Sequence, residues 1–421
     1  MIKKIFFSLS LLCGTAALAQ QGDASPYSYY GVGNVNYNGT NEYKAMGGTS
    51  VYADSIHINL KNPASFSKLK RTTFSLGATS TSYNFKNDNN TDNATRQTID
   101  YVVVGLPIAK KFGVIFGLLP YSNVGYKMEG ERLNPQGQKI NSKYEGNGGI
   151  NKAFVGAGYE LNKNLSFGFD AGYHFGNTKN DLYENITDIG DGSSLQNITR
   201  EYRKLDYKGF SFNVSAQYTG KLKEYDVQAN VTYSPETKWT NDNLTQLQVI
   251  KINSVVDQTI LVDASKKITN PQVLSMGAGI GKDLKWFVSG QYTFTQNSKL
   301  SDTWNTSTLA SYENSNRFTV GGFYIPKYNS FTSYFDRIVY RAGFKYENTG
   351  LVLRDQSIKD MAVTAGFGFP IGDPRKFTNL NIGFEYGSRG TKNNGLTKEN
   401  YFSINVGFSL NDLWFQKRRF D

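Results

Sequence analysis

The chain has 421 residues, a formal net charge of +11, a single cysteine (Cys13) and 42 glycines, and aromatic residues make up 14% of it. One cysteine leaves no disulfide framework and no thiolate metal site, and no apolar run long enough for a spanning helix follows the first 20 residues, which excludes a helical membrane protein. The basic residues form no cluster interleaved with base-stacking aromatics, so the positive charge is read as attraction to anionic lipid head groups and not to nucleic acid.

Residues 1–19 read as an export signal. Lys3 and Lys4 precede a short apolar run, and Ala17-Leu18-Ala19 supplies the small-x-small cleavage pattern. Cleavage is expected after Ala19. Lipidation at Cys13 is disfavoured, because Leu12 stands where a small residue is needed. Residues 20–70 have a different texture. They begin near SPYSYYGVG, pass Met46-Gly47-Gly48 and reach Asn62-Pro63-Ala64, with little alternation and a proline that interrupts any strand. Such a segment is either a periplasmic tail or a piece folded inside a barrel.

From Arg71 onward, apolar and polar residues alternate. The clearest stretch is 165–176, LSFGFDAGYHFG. Leu165, Phe167, Phe169, Ala171, Tyr173 and Phe175 fall on one face, and Ser166, Gly168, Asp170, Gly172, His174 and Gly176 on the other. Twelve residues exceed the usual soluble strand of about five or six and suit a tilted membrane-crossing strand of roughly 9–11. The pattern predicts strands at 72–84, 98–108, 112–126, 148–161, 164–177, 207–219, 225–235, 271–281, 284–296, 315–326, 336–347, 360–370, 378–389 and 400–410. The strands at 98–108 and 112–126 are apolar on both faces, so their inner side is expected to be covered; Ile115, Leu119, Val102 and Val104 are read as a greasy inner wall. Every second connection is short (109–111, 162–164, 220–224, 282–283 and 371–377, with 327–335 longer), as periplasmic turns should be, whereas 178–206 and 236–270 are long, polar and expected to be extracellular loops. The last strand, Tyr401 to Leu410, would close the ring against the first and remove both edges. Beyond it, Trp414 and Phe415 read as an interfacial anchor and Lys417-Arg418-Arg419 as a periplasmic tail.

These features together resemble the FadL/TodX outer-membrane transporters, in the form common in Bacteroidetes. The resemblance rests on the fourteen strands, the Gly-Gly segment ending in Asn62-Pro63-Ala64, and Gly117-Leu118-Leu119-Pro120-Tyr121-Ser122. The stretch from Gly148-Gly149 through Gly176 and the ending Leu410-Asn411-Asp412-Leu413-Trp414-Phe415 complete it. It implies that the N-terminal residues form a hatch in the lumen, to which Asn62, Pro63 and Ala64 would belong. It also implies passage of hydrophobic compounds by way of a pocket near the hatch and a lateral exit through the wall. Members of this fold also serve as shuttle or accessory subunits of secretion and assembly machines, including the type IX secretion shuttle protein.

The expected fold is therefore all-β: a transmembrane antiparallel β-barrel of about 14 strands with an N-terminal luminal hatch, in the outer membrane of a Gram-negative bacterium. Its parts are a signal peptide (1–19), a hatch (20–70), the barrel (71–410) and a periplasmic tail (411–421). The expected function is passage of hydrophobic small molecules, fatty-acid-like or aromatic. The alternative is a structural or accessory subunit of an envelope complex, meeting its partners through the long loops or the tail. Outer-membrane lipids are expected neighbours and nucleic acid is not. No enzyme activity, cofactor or metal is expected. His174 shares a face with Asp170 and could pair with it, but a polar lumen residue is the favoured reading, and His57 has no second ligand at metal-binding spacing. Arg341, Lys345 and Glu347 on one strand, and Glu385 and Arg389 on another, are expected to face the lumen, either as selectivity determinants or as ion pairs that pin the hatch.

Overall fold

A computed structural model describes residues 23–88, 90–188, 197–251, 254–300, 310–371 and 378–412. The expected signal peptide and the Trp414/Phe415 anchor with its basic tail lie outside the described residues. The strands are β1 (Asn34–Val35), β2 (Thr72–Lys86), β3 (Thr91–Ala109), β4 (Phe112–Leu133), β5 (Lys139–Glu160), β6 (Leu165–Asp188), β7 (Asn197–Leu222), β8 (Tyr225–Ser234) and β9 (Thr237–Lys251). They continue with β10 (Ser254–Asn270), β11 (Val273–Lys282), β12 (Trp286–Thr295), β13 (Ala310–Tyr312), β14 (Ser315–Tyr324), β15 (Val339–Leu353), β16 (Gln356–Ile371), β17 (Thr378–Arg389) and β18 (Lys398–Asp412).

Fourteen of them close a ring. Each of β2 to β8 pairs with the next, β8 pairs with β11, β11 with β12, β12 with β14, β14 to β18 pair in sequence, and β18 returns to β2. All these pairs are antiparallel, and each of the fourteen strands overlaps one expected from the alternation. The faces also fall as expected: Phe167, Phe169, Tyr173 and Phe175 of β6 point outward, while Ser166, Asp170 and His174 are buried. On β18, Phe402, Ile404, Val406 and Leu410 face out and Ser403, Asn405 and Ser409 face in. Closure removes the two free strand edges of an open sheet, which in lipid no water could satisfy.

Two expectations are corrected. The stretches 178–206 and 236–270 are not irregular loops. The first contains the outer ends of β6 and β7, and the second is the hairpin of β9 and β10. These stretches are polar on both faces, so they carried no alternation to read. On β3 the inward residues are Tyr101 and Val103, not Val102 and Val104; Val102 is 37% exposed and Val103 fully buried. With both faces apolar, parity was undetermined, and a register shift between Gly77 and Ala78 on β2 displaces the pairing by one residue.

Candidate functional site

The barrel's interior holds the chain's own N-terminal segment. The 3-10 helix Pro63–Lys68 lies against β4, β5, β6 and β7. Asn62, Pro63 and Ala64 are brought together here, all buried. Asn62 Nδ2 donates to Gln217 Oε1 at 2.5 Å and the Ala64 amide donates to Ser215 Oγ at 2.6 Å. Glycines allow this approach. A Cβ on Gly168 would stand 2.1 Å from the Pro63 carbonyl carbon, and one on Gly113 would stand 2.0 Å from the Phe66 oxygen. The small residues of the alternating pattern are thus contact points for the inner segment as well as gaps between aromatics. Phe66, Ile58, Leu60 and Leu69 pack on Tyr101, Val103, Ile115, Leu119 and Phe154. Ile115 and Leu119 do face inward, and they are largely covered by this packing.

The earlier part of the segment is tied to the opposite wall. The short helix Asn41–Lys44 places Glu42 to accept from Asn381 Nδ2 (3.0 Å) and Ser409 Oγ (3.0 Å). The Gly47 amide donates to Thr364 Oγ1 at 2.9 Å, Ser50 N to Gln291 Oε1 at 2.6 Å and Ala53 N to Gln228 Oε1 at 2.8 Å. Together with Gln217 and Ser215, these bonds reach β7, β8, β12, β16, β17 and β18, so the segment is enclosed by the ring. His57 sits in an Asx turn with Asp54, Nδ1 to Oδ2 2.5 Å. Burial works against both charges, but the pairing wins: Asp54 is held below the ordinary carboxylate value and His57 is raised above that of a free imidazole.

The lumen charges expected from the sequence are inward and paired. Lys345 reaches Glu385 (2.7 Å) and Asp360 (3.3 Å), and Asp360 also takes Arg389 (3.2 Å) and the Tyr401 hydroxyl (2.8 Å). Arg317 pairs with Glu347 at 2.5 Å, Arg341 donates to Asn381 at 2.8 Å, and Lys44 of the inner segment approaches Glu385 at 3.9 Å. Asp360 is the centre of this cluster. Sequence reasoning passed over it because it precedes the apolar part of its strand; only the register shows three basic and phenolic partners converging on it.

Between segment and wall a cavity of about 460 Å³ remains. Leu60, Leu119, Tyr121, Phe154, Trp239 and Ile268 line one part of it, and Lys61, Lys152, Arg317 and Glu347 line another. The Lys61 ammonium lies 5.1 Å from the centre of the Tyr37 ring; burial, with Arg317 nearby, lowers its pKa to about 7. His174 does not pair with Asp170. Its Nε2 lies 2.7 Å from Ser211 Oγ, its ring stacks on Trp239 at 4.4 Å, and Tyr121 meets it edge-on at 4.6 Å. Asp170 instead accepts from Lys152 (3.1 Å) and Asn213 (2.7 Å). Among the described residues no three His, Cys, Asp or Glu side chains converge as metal ligands.

The wall beside this cavity is open between β3 and β4. Their ladder runs from Ala109↔Phe112 only to Val102↔Leu118. Beyond it, β4 runs on through Pro120, which has no N–H to give a neighbour, and the inner segment takes the vacated place. Asn34 and Val35 pair with Asn123 and Ser122, and Asn36 donates to the carbonyls of Tyr121 (2.9 Å) and Pro120 (3.0 Å).

The BamG family matches over residues 1–421. The chain belongs to the BamG family. No curated protein sequence matches. Among solved structures it is similar to the CymD monoaromatic hydrocarbon channel, at 14% identity and a TM-score of 0.57, covering 91% of this chain and 100% of that one. The Pseudomonas putida toluene transporter TodX matches at 15% and 0.55 (93% and 99% covered), and a Pseudomonas aeruginosa FadL homologue at 14% and 0.52 (90% and 98%). At these identities the likeness establishes the fold. This BamG protein has the fold of the FadL-type barrels.

Proposed function

We propose that this protein passes hydrophobic small molecules across the outer membrane, with residues 20–70 acting as a movable hatch that includes Asn62, Pro63 and Ala64. The observation that carries this reading is the cavity between inner segment and wall, apolar along Leu60, Leu119, Phe154 and Trp239 and next to an interruption of the wall. A ligand would be caught among the strands above the membrane, settle in the cavity and move on as the segment shifts. The hydrocarbon channels with the same fold support it. The Gly117–Ser122 and Leu410–Phe415 motifs support placing the chain in the Bacteroidetes branch. The test is extraction in mild detergent through a C-terminal tag, followed by native mass spectrometry. A barrel carrying one lipid-like or aromatic molecule supports passage; a ligand-free barrel that binds none of a hydrocarbon and fatty-acid panel overturns it.

A second reading is an accessory subunit of an envelope protein complex. The BamG family name supports it, as does the hairpin of β9 and β10, on which Val255, Val256, Ile260 and Leu261 are all about half exposed or more, an apolar patch of the kind that marks a contact surface. Co-extraction of other envelope proteins in fixed ratio would favour it.

A further inference from the structure

The hairpin of β9 and β10 ends in an open strand edge. β10 pairs with β9 from Asn270↔Thr237 up to Ser254↔Lys251. Among the described residues no strand lies along the other side of residues 254–265. The reason is the length of β12. It flanks β11, and it stops at Thr295, opposite Val273, where β11 itself begins; nothing continues beside β10. Every residue of 254–265 except Val262 is exposed, so both faces of the strand are bare as well as its edge. Open N–H and C=O groups of a sheet edge are not left in hydrocarbon, so this edge meets water. Val255, Val256, Ile260 and Leu261 are nonetheless held out there.

A second free edge at the same end of the barrel shows what a closed-off edge looks like. The outer end of β4, residues 127–133, keeps β5 on one side and has lost β3 on the other. It carries Lys127, Glu129, Glu131 and Arg132, and charge of this kind turns further strands away. Residues 254–265 contain no Lys, Arg or Pro; their only charges are Asp257 and Asp263. The partners of these two on β9 are Val249 and Leu244, five positions apart, so the carboxylates stand on opposite faces. Among the described residues neither is held in an ion pair. The edge does have one restraint. The register shifts at Val256 and at Leu261, and these bulges divide it into short regular runs. Such runs suit one partner in one register and resist unlimited sheet-to-sheet growth.

We propose that residues 254–265 of β10 receive an extended segment of a partner protein as an added strand. Main-chain bonds to the open edge hold it. Its side chains are β-branched where they meet Val255, Ile260 and Leu261, and basic, one on each face, where they meet Asp257 and Asp263. The proposal rests on the accessory-subunit reading and names how that partner is held. The probe is a fluorescent ten-residue peptide of alternating Val and Thr, in which one Val and one Thr, five positions apart, are replaced by Lys. It is added to the full-length protein in detergent and followed by anisotropy. Binding is expected to saturate at one peptide per chain. N-methylation of one alternating set of peptide amides is expected to abolish it, and methylation of the other set to leave it, because only one set faces the edge. Asp257→Lys and Ile260→Lys, both at exposed positions, are each expected to weaken it about ten-fold, and Glu131→Lys on the β4 edge to leave it unchanged. No binding, or equal sensitivity to the two methylation patterns, overturns the added strand. Envelope proteins co-extracted in fixed ratio with a barrel that ignores the peptide would sink the edge and leave the accessory reading standing. A barrel that binds the peptide but co-extracts nothing would sink the accessory reading and leave the edge.

Discussion

From β14 round through β18 to β3, the strands hold their neighbours through ladders broken only by short irregularities, and the lumen face carries charge: Lys345, Asp360, Glu385 and Arg389 span three adjacent strands. From β3 to β9 the wall is interrupted twice, and the inner face there carries Leu119, Tyr121, Phe154 and Trp239. The contrast separates two ways of holding a barrel together. Buried ion pairs are directional and tolerate no slip, since removing one partner strands the other. Apolar packing is non-directional, so that side can lose a ladder, accept a foreign segment or part, and still exclude water. The regular side sets the shape; the interrupted side accommodates the inner segment and the cavity beside it.

The largest test removes what both sides hold. Deleting residues 20–61 is expected to raise passive conductance in planar bilayers, and an unchanged conductance would show that the segment is no plug. Next, Asp360→Ala on the regular side leaves Lys345 only Glu385 and takes from Arg389 its carboxylate partner, at a cost of about 3–5 kcal/mol, read as a lower temperature for loss of the compact barrel band on gels. Asp360→Asn should fall between it and the native protein. Leu119→Ala on the interrupted side should cost less, about 2–3 kcal/mol, because the adjoining cavity lets neighbours relax; an equal or larger loss would erase the distinction. A smaller effect concerns pH. The raised His57 contributes stability that is complete below about pH 6.5 and fades as pH climbs through its raised folded value. The lowered Asp54 contributes above about pH 4 and fades as pH falls through its depressed value. Protease nicking of the inner segment should therefore be slowest between those limits and faster at pH 8.5, and His57→Gln should flatten the profile. Finally, Glu224→Gln, which breaks the exposed Lys282 pair at 2.9 Å, should leave unfolding unchanged.

Much of the fold was legible because lipid imposes a period-two signal on every strand that crosses it. The signal failed where that demand ends. The outer halves of β5 to β7 and most of β9 and β10 are polar on both faces, and their Thr, Asn, Gln and Lys carry no apolar alternation. It was ambiguous on β3, where the inner segment makes the inner face apolar too, and Val102 was exchanged for Val103. For the site, the inward charges of β15 and β17 were readable from parity, but their partners were not: Asp360, Tyr401 and Asn381 are chosen by register between strands. Trp239 could not have been found by alternation, since it belongs to a strand hidden within an expected loop. The one available signal was Pro235 and Pro271 flanking that stretch.

The seam between β18 and β2 has a kinetic meaning. Its contacts join residues as far apart in sequence as Thr73 and Asn411, 338 positions, so the ring cannot shut until the last strand has been made, and contacts so distant form slowly. The inner segment precedes β2 in the chain and is enclosed once β18 docks. It must already be in place, or enter through a mouth or a wall break, when the circle closes. Until then β2 and β18 each present an unpaired edge, and a chain held at that stage offers any other strand in the membrane two places to add itself.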